Sequence, residues 1–242
     1  MEQLVFDLVP PEPPSFANFL PGRNAEAVAS LTRFASGETI EKSLFLWGAA
    51  AAGKSHLLRA TVADSEGRGA PALYIADPGA LVAMDAEALA RNALVAIDGI
   101  DGANPEAQGR LFTLFNALRD AGHRFVGAAR VAPGALGVRE DLRTRLGWGL
   151  VYEVLPLADD EKAAALATYA RQRGFELSPE VVDYVLKHGR RDMPSLLAML
   201  SAVDRFSLAS KRAVTVPLLK EWLQRNSGWR APTETGSGEK SS

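Results

Sequence analysis

Eight consecutive residues, Gly48-Ala49-Ala50-Ala51-Ala52-Gly53-Lys54-Ser55, have the types and spacing to hold phosphate. They fit G-x-x-x-x-G-K-[ST], a loop whose glycines let backbone N–H groups close on phosphate oxygens. Lys54 would reach the β- and γ-phosphates, and the Ser55 hydroxyl would ligate Mg²⁺. The four alanines bring no polar side chain, but the loop still donates through its backbone. The apolar run Ser43-Leu44-Phe45-Leu46-Trp47 before it reads as a buried strand, and Lys54 to about Ala63 reads as a helix. Strand, glycine loop and helix start together form a phosphate site, because the helix start adds partial positive charge. A plain Gly/Ala-rich turn is the bland alternative, and the flanking elements disfavour it.

A loop of this kind needs an acid at the end of a neighbouring apolar strand. Leu94-Val95-Ala96-Ile97-Asp98 supplies one, and Asp98 would help hold Mg²⁺, through water. The competing role for Asp98 is to cap the turn before Gly99. Gly99 stands where a further acid would orient an attacking water, and Asp101 is expected to face elsewhere. Weak or absent intrinsic ATP hydrolysis follows, so a self-standing enzymatic activity is left open. Farther on comes Arg139-Glu140-Asp141-Leu142-Arg143-Thr144-Arg145-Leu146-Gly147-Trp148-Gly149. An arginine in such a loop can reach a neighbouring subunit's γ-phosphate, an effect worth about 10³–10⁵ in rate. On its own, an arginine-rich loop is more commonly a solvated face. Gly189-Arg190-Arg191-Asp192-Met193 offers another arginine at a helix start, or merely a surface ion pair.

The elements that must position these groups are legible as a pattern. Apolar runs recur at Leu44–Trp47, Ala72–Ala76, Leu94–Ile97, Phe125–Ala128 and Leu150–Leu155, with helical stretches between several of them. Alternating strands and helices predict an α/β fold, a parallel sheet flanked by helices. Ala25–Phe34 reads as a helix. So does Asn104–Ala121, with Asn104 at the N-cap, Pro105 after it, and Leu111, Leu114, Phe115 and Leu118 in one stripe. After Pro156 the pattern is helical only: Ala158–Arg173, Ser178 to about Lys187, Pro194–Leu208 and Pro217–Arg225. The domain reading is a peptide at 1–9, a proline-rich spacer at 10–15, a nucleotide domain at 16–156, a small all-α lid at 157–225 and a disordered polar tail at 226–242.

Bulk properties narrow the function. At 242 residues the chain can form one medium domain plus a small one. A net charge of −2 is no footprint for tight direct binding of nucleic acid. With no cysteine there is no disulfide, thiolate metal site or cysteine nucleophile, which fits the cytoplasm. No apolar run approaches a membrane span, and no secretory leader pattern opens the chain. His56, His123 and His188 are too scattered for a metal cluster and read as surface or packing residues.

Taken together, the P-loop, the strand ending at Asp98, the run Leu142-Arg143-Thr144-Arg145-Leu146-Gly147-Trp148-Gly149-Leu150 and the Arg191-Asp192-Met193 helix start resemble the AAA+ module of the bacterial replication initiator DnaA. Within that group the chain is similar to the Hda family, shorter DnaA homologues that inactivate DnaA. The likeness spans residues 3–225. It includes Phe16-Ala17-Asn18-Phe19-Leu20-Pro21-Gly22 with Asn24, Ser55-His56-Leu57-Leu58 and Arg173-Gly174-Phe175-Glu176-Leu177. Nothing in it resembles DnaA's helix-turn-helix DNA-binding domain or its helicase-interacting domain.

The resemblance implies a mechanism and a set of residues. Gln3-Leu4-Val5-Phe6-Asp7-Leu8 is similar to the peptide with which this family docks on the DNA polymerase III sliding clamp, with Gln3, Leu4, Phe6 and Leu8 as anchors. Phe6 replaces the usual leucine, and Asp7 stands where proline is common. Docked on a DNA-loaded clamp, such a protein contacts ATP-bound DnaA, and Arg145 matches the arginine finger that completes DnaA's active site. Arg191 matches the lid arginine that touches nucleotide. Phe19, Gly22 and Asn24, with Phe16, border the adenine. Gly48, Gly53, Lys54, Ser55, His56 and Asp98 complete the ADP or ATP site, with Mg²⁺ on Ser55 and Asp98. A homodimer is consistent with the family, and contact with DNA would be indirect, through the clamp. The departures are Gly99 and the alanines of Phe125-Val126-Gly127-Ala128-Ala129-Arg130, where DnaA has polar residues. The alternatives are a non-catalytic clamp-bound adaptor for a DnaA-type partner, or a weak autonomous P-loop ATPase.

Overall fold

The computed structural model describes residues 13–190 and 192–226. The proposed docking peptide with Gln3, Leu4, Phe6 and Leu8, the lid arginine Arg191 and almost all of the polar tail lie outside the described residues. The chain divides into two compact units, one ending at Pro156 and the other taking in the helices from Leu157 onward.

The first unit is built on five parallel strands: β1 (Ser43–Trp47), β2 (Ala72–Ile75), β3 (Leu94–Ile97), β4 (Arg124–Ala129) and β5 (Leu150–Glu153). Their order in the sheet is β2-β3-β4-β1-β5. β1, β3 and β4 are covered on both faces and are buried almost throughout, as continuous apolar runs require. Alternation of side chains divides them between two cores. Leu44, Leu46, Ala96 and Val126 pack with Leu31 and Phe34 of α1 (Ala25–Ser36) and with Leu57, Leu58 and Val62 of α2 (Lys54–Gly67). Phe45, Val95, Ile97 and Phe125 pack on the other face. There they meet the short α3 (Ala86–Leu89), the Leu111, Leu114, Phe115 and Leu118 stripe of α4 (Pro105–Asp120), and Leu142 and Leu146 of α5 (Glu140–Leu146). Helix α4 begins as the sequence predicts, with the Asn104 side chain accepting from the Ala107 N–H at 2.8 Å.

One expectation is corrected. The segment read as an arginine-rich loop is the helix α5. Glu140 and Asp141 sit in its first turn, where negative charge suits the helix dipole. Leu142 and Leu146, four apart, anchor it to the core with no exposed surface. Several boundaries also move by a residue or two, and α2 moves most, extending to Gly67 rather than Ala63; β5 stops at Glu153 rather than Leu155.

The second unit contains α6 (Asp159–Gln172), α7 (Pro179–His188), α8 (Met193–Ser210) and α9 (Val216–Arg225). Leu166, Val181, Val185, Leu196, Leu200, Val203, Leu219 and Trp222 form its core. Its helix starts are capped locally: Glu161 accepts from the Ala158 N–H at 2.7 Å, and Asp192 accepts from Ser195 N–H at 2.9 Å. Among the described residues, no helix is long and apolar enough to cross a membrane.

Candidate nucleotide-binding site

The strand order sets the site. β4 lies between β1 and β3, so the carboxyl ends of these three strands stand in a row. The P-loop leaves β1 after Trp47, and α2 starts at Lys54. Gly48 has φ +152°, and a Cβ there would lie 2.2 Å from the Val154 carbonyl oxygen. Gly53 has φ +102°, and a Cβ there would lie 2.7 Å from the Phe19 ring. Both positions therefore need glycine for conformation and for space. Ala51 is held at φ +61°, a left-handed conformation that costs an alanine roughly 1–2 kcal/mol. Lys54 folds over its own loop, and its Nζ donates to the carbonyls of Gly48 at 2.7 Å and Ala49 at 2.8 Å. Burial pushes its pKa below the usual lysine value. The charges of Asp98 and Asp101 oppose that shift, and Arg130 adds to it.

Ala50, Ala51, Lys54, Ser55, Asp98, Gly99, Asp101 and Arg130 line one cleft of about 240 Å³. Enclosed drug-sized sites run to roughly 300–1,000 Å³, so this cleft suits a phosphate tail rather than a whole nucleotide. Asp98, at the end of β3, accepts the Tyr74 O–H on Oδ2 at 3.1 Å and the Gly99 N–H on Oδ1 at 2.8 Å. Each carboxylate oxygen has a second lone pair, so water or metal can still be bound. Tyr74 comes from β2 and was not foreseen as part of the site.

Asp101 is a correction: it was expected to face elsewhere, yet it lines the cleft beside Lys54 and Asp98. The short 3-10 turn Ile100–Gly102 swings it back, and Arg130 holds it there, with Nε donating to Oδ2 at 2.6 Å. Burial raises the Asp101 carboxyl, but the bonds from the Arg130 side chain and backbone outweigh it and leave the pKa below its ordinary value. Arg130 is itself a site residue that the sequence reading passed over, because attention fell on the alanines before it.

The segment before α1 is drawn against the P-loop helix. The half-buried Phe19 faces Gly53, and its ring centroid lies 5.3 Å from that of His56. His56 Nε2 donates to the Ser15 carbonyl at 2.9 Å. Burial pushes the His56 pKa down, the Ser15 hydrogen bond opposes this, and Arg59 adds to the lowering. Asn24 is buried and engages both polar atoms with one backbone unit: Nδ2 donates to the Leu155 carbonyl and Oδ1 accepts from the Leu155 N–H, each at 2.8 Å. It ties the start of α1 to the chain after β5. Gly22 is exposed in the turn before it, at φ +48°.

Arg145 is not among the residues that line the cleft. It lies on α5, where Nε donates to Asn116 Oδ1 at 2.9 Å and one terminal nitrogen donates to the Asp141 carbonyl at 3.1 Å. Its guanidinium sits 4.2 Å from the Phe112 ring centroid and 5.3 Å from that of Trp148. Arg139 lies 5.2 Å from the same Phe112 centroid, and Arg119 lies 5.8 Å from Trp148, so arginines and aromatics alternate along this face.

Comparison with known proteins agrees with both units. Residues 159–223 match the family described as the Hda lid domain. The chain is similar to domain III of the Thermotoga maritima replication initiation protein DnaA, at 19% identity and TM-score 0.71, over 87% of this chain and 95% of that one. It is similar to AMPPCP-bound DnaA from Aquifex aeolicus at 19% identity and TM-score 0.69, over 92% of this chain and 70% of that one. The Thermotoga maritima RuvB Holliday junction branch migration motor matches at 15% identity and TM-score 0.62, over 88% and 72%. At these identities the likeness carries the fold: an AAA+ sheet with a helical lid domain.

Proposed function

We propose that this DnaA-related AAA+ protein with an Hda-type lid is a regulator that acts on a DnaA-type initiator. Bound to ADP or ATP and docked on the DNA-loaded sliding clamp, it presents Arg145 to the initiator's bound ATP and drives its hydrolysis. The observation that carries this reading is Arg145 itself. It lies outside the chain's own phosphate cleft and is held ready on α5 by Asn116 and Phe112. That placement meets the requirement for a finger supplied in trans, a guanidinium kept apart from its own chain's phosphate site.

The magnitudes allow it. Leaving Phe112 costs about 0.5–1 kcal/mol, and giving up the Asn116 bond costs about 1 kcal/mol more. A finger worth 10³–10⁵ in rate lowers the barrier by about 4–7 kcal/mol. The barrier lowering exceeds these contact costs, so a finger that leaves both partners still accelerates hydrolysis.

The chain's own cleft serves binding. The P-loop backbone and Lys54 would hold the phosphates, once Lys54 exchanges the Gly48 and Ala49 carbonyls for them. The donor set fits Mg²⁺: one hydroxyl, Ser55, and one carboxylate, Asp98, suit an ion that keeps several waters. When bound, Mg²⁺ neutralises charge on the phosphate oxygens. Gly99 offers no side chain to orient a water, so the protein's own turnover is weak. Phe19, Gly22, Asn24 and His56 frame the base side of the site, and Arg191 would reach the nucleotide from the lid. Clamp docking rests on the sequence of Gln3, Leu4, Phe6 and Leu8, and homodimerisation on family likeness.

The test is hydrolysis of ATP prebound to DnaA, with clamp loaded on DNA, comparing the protein with Arg145→Ala. Stimulation by the former and its loss in the latter is the expected result. Stimulation that survives Arg145→Ala rejects the finger. Absence of stimulation by either, with clamp binding intact, leaves a clamp-bound adaptor.

A further inference from the structure

Asp98 is held from behind the cleft as well as by its own turn. Its Oδ1 takes the N–H of the next residue, Gly99, at 2.8 Å, and its Oδ2 takes the Tyr74 O–H at 3.1 Å. One bond leaves a carboxylate free to swing; a second, from a separate strand, fixes its plane. β2 also fixes the Asp98 backbone, whose N–H donates to the Ile75 carbonyl at 2.9 Å. Tyr74 is not among the residues that line the cleft, and it packs on the α2 side of the sheet. There Arg59 of α2 lies over its ring, with the guanidinium carbon 4.8 Å from the centroid. Arg59 follows Ser55 by four residues, so both lie on one face of that helix. Ser55 and Asp98, the two groups suited to Mg²⁺, are thus joined by a continuous path through α2, Arg59 and Tyr74.

We propose that Tyr74 is the positioning residue of Asp98, aiming its carboxylate at a nucleotide-bound divalent cation, and that Arg59 seats Tyr74. The proposal rests on the cleft being a nucleotide site with Asp98 on its metal side. Tyr74 uses one lone pair of Oδ2 and leaves another, so it need not exclude the ion or its water. Hydrogen bonds to a metal-binding carboxylate set its direction, and losing one typically costs about 10–100-fold in metal affinity. An acid that acts through water is less demanding of direction, so the low end of that range is expected here. Two other accounts differ in sign. If Tyr74 competed with the ion for Oδ2, removing its O–H would tighten ion binding. If the bond only supported the fold, removing it would lower stability and leave the ion unaffected.

Titration of the full chain with a fluorescent, non-hydrolysable ATP analogue, in EDTA and at a series of Mg²⁺ concentrations, separates these accounts. Asp98→Asn is the reference, and it should abolish the Mg²⁺ dependence. Tyr74→Phe keeps the ring and removes only the O–H. It should raise the Mg²⁺ concentration at half-effect about three- to tenfold and leave affinity in EDTA unchanged. Arg59→Met keeps a long stem without the charge and should raise the same half-point about twofold. The Arg59→Met, Tyr74→Phe double variant should move it no further than Tyr74→Phe alone. In Asp98→Asn, adding Tyr74→Phe should change nothing. With Mn²⁺ in place of Mg²⁺, the bound-ion signal in the electron paramagnetic resonance spectrum should weaken in the same order. An unchanged or lowered half-point in Tyr74→Phe, with Asp98→Asn behaving as stated, would overturn the positioning role alone. An unchanged half-point in Arg59→Met would overturn the seating role. Mg²⁺ dependence that is absent from the wild type, or that survives Asp98→Asn, would overturn the metal role of Asp98. Failure of the wild-type chain to bind the analogue would overturn the nucleotide site, and the inference falls with either.

Discussion

The phosphate cleft and the arginine face of α5 hold their cations in different ways. In the cleft, Lys54 and Arg130 are tied by oxygens: two loop carbonyls for one, a carboxylate for the other. On α5, Arg145 also has oxygen partners, Asn116 Oδ1 and the Asp141 carbonyl, but unlike the cleft cations it lies between the Phe112 and Trp148 rings as well. Oxygen partners are what a phosphate must displace or complement, so the cleft is tuned for a charged ligand that stays. Aromatic faces hold a guanidinium weakly, at about 0.5–1 kcal/mol each, and give it up readily. The first arrangement suits binding, and the second suits an arginine that must reach elsewhere.

That contrast can be broken by a crossed pair of variants, with the largest effects expected here. Arg145→Ala should lower stimulation of partner hydrolysis by about 10³-fold or more while nucleotide affinity is unchanged. Gly53→Ala should do the reverse at the binding step. A Cβ at φ +102° is strained, and it meets the Phe19 ring at 2.7 Å. A cost of about 1–3 kcal/mol in the loop corresponds to roughly 5- to 150-fold weaker nucleotide binding, read by titration. Loss of nucleotide affinity in Arg145→Ala would mean that the two regions are one site.

The next effect sharpens the comparison inside the arginine face. Because Arg145 leaves Phe112 and Asn116 to reach a partner, Phe112→Ala and Asn116→Ala should each leave maximal stimulation unchanged or raise it, by no more than about two- to tenfold. The partner concentration at half-stimulation should stay the same. A change confined to that half-point would make these residues part of the docking surface instead.

The two regions also differ in how far the sequence foretold them. The P-loop and Asp98 are local: six residues separate Gly48 from Ser55, and one apolar run ends at Asp98, so pattern alone finds them. The parallel sheet flanked by helices was legible for the same reason, since buried strands appear as apolar runs. What the pattern could not supply is adjacency. Arg130 meets Asp101 only because β4 pairs with β3. Tyr74 meets Asp98 because β2 flanks β3 on the other side. Asn24 meets Leu155 across 131 residues of chain. Strand order is set by how the crossover helices pack, which periodicity does not encode. Helix α5 had a signal, Leu142 and Leu146 spaced by four, that its many charges obscured.

The smallest effect concerns the seam between the N-terminal segment and the P-loop helix. His56 is half-buried, donates to Ser15 and has its pKa pushed below the ordinary value, chiefly by burial. The folded chain therefore resists the proton that the unfolded chain accepts near pH 6.5. Above that pH the His56 contribution is fully present. As pH falls below it, the unfolded state takes up protons first and stability declines, until the folded pKa is passed and both states are charged. His56→Gln should flatten the stability–pH profile just below pH 6.5, read by denaturant melts at a series of pH values. Carboxylates titrate lower, so the difference between the two profiles isolates the imidazole. The loop itself supplies the second readout. Protonation adds a donor on Nδ1 but does not break the Nε2 bond to Ser15, so nucleotide affinity should shift less than stability does. An equal shift in both would mean that the seam and the phosphate cleft open together.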